Sequence, residues 1–193
     1  MSKELTPEES LGIVSKSILV AKIRNRETGG VFIFWGLLMS FASLAQFLLL
    51  RGQYSQYNYY PYFLFPVGAV LTWFLFFRRF KTEKSKNIIS AIIPLTWLFI
   101  GINFMILSIG YEFFLAELLT PVIIILLSLG ISLTGYVMKS KFLIAGGLLC
   151  NIAGFVCFKI PWESHGLLFC CVSFVCVVLP GISIKYTTRR DNA

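Results

Sequence analysis

The stretch Gly29 to Leu50, GGVFIFWGLLMSFASLAQFLLL, runs for 22 residues without a charged side chain. A soluble helix of that length would carry a polar face, whereas a bilayer core about 30 Å thick requires roughly 20 consecutive apolar residues. Read outward from this run, the chain holds five more: Tyr62 to Phe77, Ile88 to Ile109, Leu118 to Met138, Phe142 to Phe158 and Leu167 to Ile184. The second, fifth and sixth are short and are expected to extend into their flanks. Composition agrees, since 57% of residues are hydrophobic and 13% charged, where soluble domains carry about a quarter charged. The alternation of a membrane β-barrel is missing. The expected fold class is therefore all-α: a polytopic membrane protein with six transmembrane helices arranged as three hairpins.

The basic residues orient it. With the N-terminus inside, the clusters from Lys3 to Arg26, from Arg78 to Lys86, at Lys139 and Lys141, and from Lys185 to Arg190 all fall on the cytoplasmic side. Only Arg51 and Lys159 fall outside, which is a strong positive-inside pattern. The net charge of +8 thus reads as topology, with anionic lipid headgroups as partners and no nucleic acid. Both termini are expected in the cytoplasm of a bacterium and the spans in its inner membrane.

Residues 1–28 form the first expected unit, 29–184 the transmembrane bundle and 185–193 a basic cytoplasmic tail. Thr6-Pro7-Glu8-Glu9 supplies a capping hydroxyl, a proline at the first helical position and an early glutamate, so a helix starts there and is expected to reach about Arg26. Leu11, Val14, Ile18 and Ala21 fall on one stripe of it. Two readings stand: an interfacial helix on the inner leaflet, or a docking helix for a cytosolic regulator or a second copy. The acidic start and the long first run argue against a cleaved signal peptide.

The segment Cys150 to Cys171, CNIAGFVCFKIPWESHGLLFCC, holds four of five cysteines and the single histidine. The spacings match no zinc pattern, and an odd count argues against a disulfide framework. It reads as two helices joined by the outer turn PWESHG, with His165 and Glu163 at the headgroup boundary. No ionisable residue lies mid-span, where proton-coupled carriers place them. The polar residues left are Gln46, Asn103 and Asn151, read either as interhelical hydrogen-bond groups or as a small polar pocket. Gly146, Cys150 and Gly154, with Gly147 and Asn151, mark faces of close approach, and Pro66, Pro94, Pro121 and Pro180 mark kinks. No phosphate-binding glycine loop, HExxH, GxSxG or paired acidic motif occurs, so neither a catalytic residue, a metal nor a cofactor is expected.

FWGLLMSFASLAQFLLL (Phe34 to Leu50), GYVMKSKFLIAGG (Gly135 to Gly147), LPGISIKY (Leu179 to Tyr186) and the N-terminal ESLGIVSKSI resemble a widespread family of bacterial six-helix integral membrane proteins without assigned activity. The resemblance implies association with a winged-helix transcription regulator, hence a regulatory or envelope-response role. The expected function is a non-enzymatic regulatory or scaffolding membrane component that engages a partner at its cytoplasmic face. The alternative is a small oligomeric transporter or channel for a neutral or weakly polar solute.

Overall fold

The computed structural model describes residues 7–58, 60–74, 88–109 and 116–190, with side chains described within 28–58, 60–74, 92–107 and 117–186. The described residues are all helical or in turns, without a strand. The helices are α1 (Pro7–Arg51), α2 (Leu64–Thr72), α3 (Ile88–Ile109), α4 (Ala116–Val137), α5 (Lys141–Cys157), α6 (His165–Ser173) and α7 (Leu179–Arg190), the last two joined by a π turn, Phe174–Val178. Three stretches are long and apolar enough to cross a membrane: Thr28–Arg51, Glu117–Val137 and Trp162–Tyr186. Two shorter apolar helices, Ile92–Leu107 and Lys141–Cys157, accompany them.

Two boundaries expected from the sequence fall inside helices. α1 runs through residue 28 without interruption, with Gly29 and Gly30 helical, and α7 continues past Lys185.

Small residues set the packing, because apolar surroundings give no hydrophobic reward for helix association and leave close backbone contact to do the work. α1 and the α6–α7 rod lie antiparallel. A Cβ on Gly29 would stand 2.9 Å from the carbonyl oxygen of Gly181, and one on Gly166 would stand 2.9 Å from that of Ser43. α4 and α5 are closer still: Gly147 faces the backbone of Ser132, and Gly154 faces Ile124 and Ile125. Their connection is tight. Ser140 N–H reaches Gly135 O at 2.9 Å, Lys139 N–H reaches Tyr136 O at 3.1 Å, and Lys139 takes the left-handed position (φ 54°) of a Schellman motif. Followed round the bundle, the contacts make α1, α3 and α5 run one way and α2, α4 and α6–α7 the other. Ile124, Leu127, Ile131, Leu143, Cys150 and Val177 are buried at the centre.

The π turn has a local cause. Pro180 has no N–H and its ring would strike the carbonyl of Cys176 four residues earlier. The helix widens instead, and Leu179 N–H bonds to Phe174 O, five residues back. The Cys176 carbonyl then faces α5 at a close approach that favours glycine: a Cβ on Gly146 would lie 3.0 Å from it.

An internal repeat relates α1–α2 to α3–α4. Trp35 Nε1 donates to Thr72 Oγ1 at 3.0 Å, and Trp97 Nε1 donates to Thr134 Oγ1 at 3.1 Å, each across 37 residues. Each threonine in turn donates to the carbonyl of a glycine four residues earlier, Gly68 at 2.8 Å and Gly130 at 2.7 Å. Those glycines receive Leu38 with Trp35 and Ile100 with Trp97 respectively. Every pair, Leu71 and Leu133 included, is separated by the same offset as Trp35 and Trp97. Since α1 and α3 run the same way, the repeat is not inverted. Gly130-Ile131-Ser132-Leu133 has a further echo in Gly181-Ile182-Ser183-Ile184, yet Gly181 packs on α1.

Thr72→Val and Thr134→Val preserve shape and strand an indole N–H. Each should lower stability by about 1 kcal/mol. Detergent unfolding of the two variants should show matching losses, and a loss confined to one would break the equivalence.

Candidate functional site

α5 ends where Pro161 forbids continuation: Lys159 and Ile160 close on Val156 O and Cys157 O, and Pro161 turns the chain into the 3-10 turn Trp162–Ser164. His165 then opens α6. Gly166 seats this corner on α1, against Ser43, Gln46 and Phe47, which buries His165 to 4% exposure. Its Nε2 lies 3.0 Å from Ile160 O, a group that only accepts, so Nε2 carries a proton and donates. Its Nδ1 is buried with no hydrogen-bond partner.

Beside this corner lies a cleft of about 430 Å³, lined by Glu117 and Leu118 from the first turn of α4, and by Phe158, Ile160, Pro161, Trp162, Glu163 and His165. Glu117 and Glu163 are exposed and Trp162 is half-buried. Arg51 lies over the Phe47 ring at 4.6 Å, and Lys159, next to Ile160 in the chain, is exposed and not part of the lining. The lining of the cleft thus carries two carboxylates among apolar walls.

The three residues expected as a polar pocket go to three different neighbours. Gln46 Oε1 accepts from Tyr62 O–H at the end of α1 that faces the cleft's corner. Asn151 Nδ2 donates to Ser128 Oγ at 3.0 Å between α5 and α4. Asn103 donates to Phe99 O on its own helix at 2.8 Å and stands exposed on α3. The structure brings no two of them into a shared hydrogen bond among the described residues. Leu11, Val14, Ile18 and Ala21 lie along α1, but their side chains fall outside the described residues.

The cysteine-rich stretch folds as two helices and a turn. Its cysteines are free, and Cys150 Sγ donates to Ile124 O at 3.6 Å in the α4–α5 contact. Among the described residues no three His, Cys, Asp or Glu side chains stand close enough to hold a metal ion.

Glu117 and the turn PWESHG are far apart in the sequence, and the fold brings them to one cleft. Their shared sequence signal is that both adjoin connections poor in lysine and arginine. Comparison with known proteins finds no match: no family model, no curated protein and no solved structure resembles the chain.

Proposed function

We propose that the protein is a non-enzymatic, six-span component of a bacterial inner membrane, with both termini cytoplasmic, in which the N-terminal part of α1 presents a docking surface to a cytosolic regulator. One observation carries this reading: α1 is a single helix, Pro7–Arg51, whose apolar half Thr28–Arg51 packs along α6 and α7 at the heart of the bundle. At 1.5 Å per residue, the 45 residues extend about 67 Å, twice the depth of a bilayer core. Residues 7–27 are thus continuous with the core, and a partner held there acts on the bundle through unbroken helix. The three hairpins, the positive-inside pattern and the resemblance to six-helix bacterial membrane proteins belong to the same reading.

The described interior supports a solid bundle over a conduit. Many of its polar groups pair locally, as Trp35 with Thr72, Trp97 with Thr134, Asn151 with Ser128, and Ser40 with Cys170 O at 3.2 Å, while Ser173 Oγ and His165 Nδ1 are buried without a partner. The test replaces Leu11, Val14, Ile18 or Ala21 in turn with a photo-cross-linking residue in native membranes. One and the same cytosolic protein should be captured from the stripe, and removal of residues 1–26 should abolish its recovery while insertion persists. Equal recovery without residues 1–26, or capture of lipid alone from all four positions, would refute the docking role.

A further inference from the structure

We propose that the exposed faces of α2 and α3 are the two halves of one helix–helix interface, and that a second copy of the chain covers both, with α2 of each copy on α3 of the other. The internal repeat points to it. Trp35 and Trp97, Gly68 and Gly130, and Thr72 and Thr134 make matching contacts, so α3 is turned about its axis as α1 is, and α2 as α4 is. On α1, Phe32 faces Gly181, Gly36 faces Val178, Ser40 donates to Cys170 O, and the Ser43 carbonyl faces Gly166. That side of α1 is thus covered by the α6–α7 rod. The residues of α3 at the Trp35-to-Trp97 offset are Pro94, Leu98, Ile102 and Met105, and all four are exposed. On α4, Ile125 faces Gly154, Ser132 faces Gly147, and Ser128 accepts from Asn151, so that side is covered by α5. Their matches are Phe63 at the entry to α2, Pro66 and Val70, again all exposed.

The chain therefore covers one example of each face with its own helices and leaves the other example open, since α2 and α3 make no comparable seam with each other. The occupant follows from what covers the closed examples. A face of the α1 type is met by the antiparallel second helix of a hairpin, and a face of the α4 type by an antiparallel first helix. A second copy brings one of each, in the reciprocal pairing that a two-fold axis imposes. The open face of α3 is shaped for insertion: Leu98, Gly101, Ile102 and Met105 stand at i, i+3, i+4 and i+7, the four corners of a hole that receives a facing side chain. Gly101 leaves its corner empty, with nothing within 4 Å of a Cβ there, and the α2 face offers Val70 and Phe63, the latter 71% exposed. Between helices in a bilayer, such interdigitation is what favours association, because lipid tails already cover apolar surface. The interface is independent of the docking role of residues 7–27.

The test co-expresses two differently tagged full-length copies whose native cysteines are replaced by alanine. One carries Phe63→Cys or Val70→Cys, and the other carries Leu98→Cys or Met105→Cys. Copper–phenanthroline oxidation in native membranes should join the two tags for at least one of these pairings. Copies carrying Leu44→Cys and Leu148→Cys, exposed positions on α1 and α5, should stay separate. The unaltered chain should also sediment as a dimer in mild detergent, and the double variant Phe63→Ala, Leu98→Ala should associate about tenfold more weakly. Both side chains are exposed, so their truncation leaves the packed core alone. Disulfides that form only with both cysteines in one chain would show α2 and α3 closing on each other. A monomer without cross-links would leave both faces to lipid, and equal cross-linking of the Leu44–Leu148 pair would mark random collision. Any of these results, or undiminished association of the double variant, would overturn the proposal.

Discussion

Gly147→Val should cost the bundle about 3 kcal/mol or more, the upper end of what overpacking does. A Cβ at this position falls on Ser132 Oγ and within 2.8 Å of the Ser132 backbone nitrogen. A flexible side chain could swing aside, but a backbone can retreat only if α4 and α5 separate. Separation would also stretch the Asn151–Ser128 and Cys150–Ile124 hydrogen bonds, which lie along the same seam. Gly101→Ala is the matched control, since nothing lies within 4 Å of a Cβ there. It should be neutral or stabilising by about 0.5–1 kcal/mol, the usual gain of alanine over glycine inside a helix. Reversible unfolding in detergent separates the two outcomes, and similar stabilities for both variants would mean that the α4–α5 contact is looser than described.

Gly29→Val should do comparable damage at the crossing of α1 and α7, by about 2–3 kcal/mol. The added carbons meet the Gly181 carbonyl oxygen at 2.9 Å and the Lys185 nitrogen at 3.3 Å, both backbone atoms. Gly29 and Gly181 face each other, a Cβ on Gly181 lying 3.1 Å from Gly29 O. Alanine at either site alone should therefore push the helices apart, and alanine at both should cost less than the two single effects added together. Additive losses would show that the two glycines do not share one contact. The same substitution loosens α1 from the rod it packs on, so partner recovery through the N-terminal helix should survive while any effect of the partner on the bundle weakens.

The helices were legible because long apolar runs and the charges between them announce themselves by composition. The third run, Ile88 to Ile109, coincides with α3, and Gly147, Asn151 and Gly154 do line the close α4–α5 face. Rotation about a helix axis was not legible, because position along an apolar run gives depth and no azimuth. Gln46 and Asn151 turned inward to partners while Asn103 turned outward, so three residues of similar polarity had three fates. The repeat is faint in the sequence, since outward positions accept any apolar residue and blur the alignment. The residues that match, Gly68, Leu71 and Thr72 with Gly130, Leu133 and Thr134, sit on the partner helices, far along the chain from the two tryptophans. The π turn was foreshadowed by Pro180, read as a kink, and its register change toward Gly146 required knowing which helix lay opposite.

Topology decides the account most directly. In a cysteine-free background, single cysteines at Ser55, Glu117 and Ser164, and at Lys84, Lys141 and Lys185, would be treated in intact cells with a membrane-impermeant maleimide. The six-span, N-inside arrangement predicts labelling of the first three without permeabilisation and of the second three only after it. Labelling of both groups from the same side, or the reverse pattern, would contradict the arrangement and remove the cytoplasmic docking helix with it.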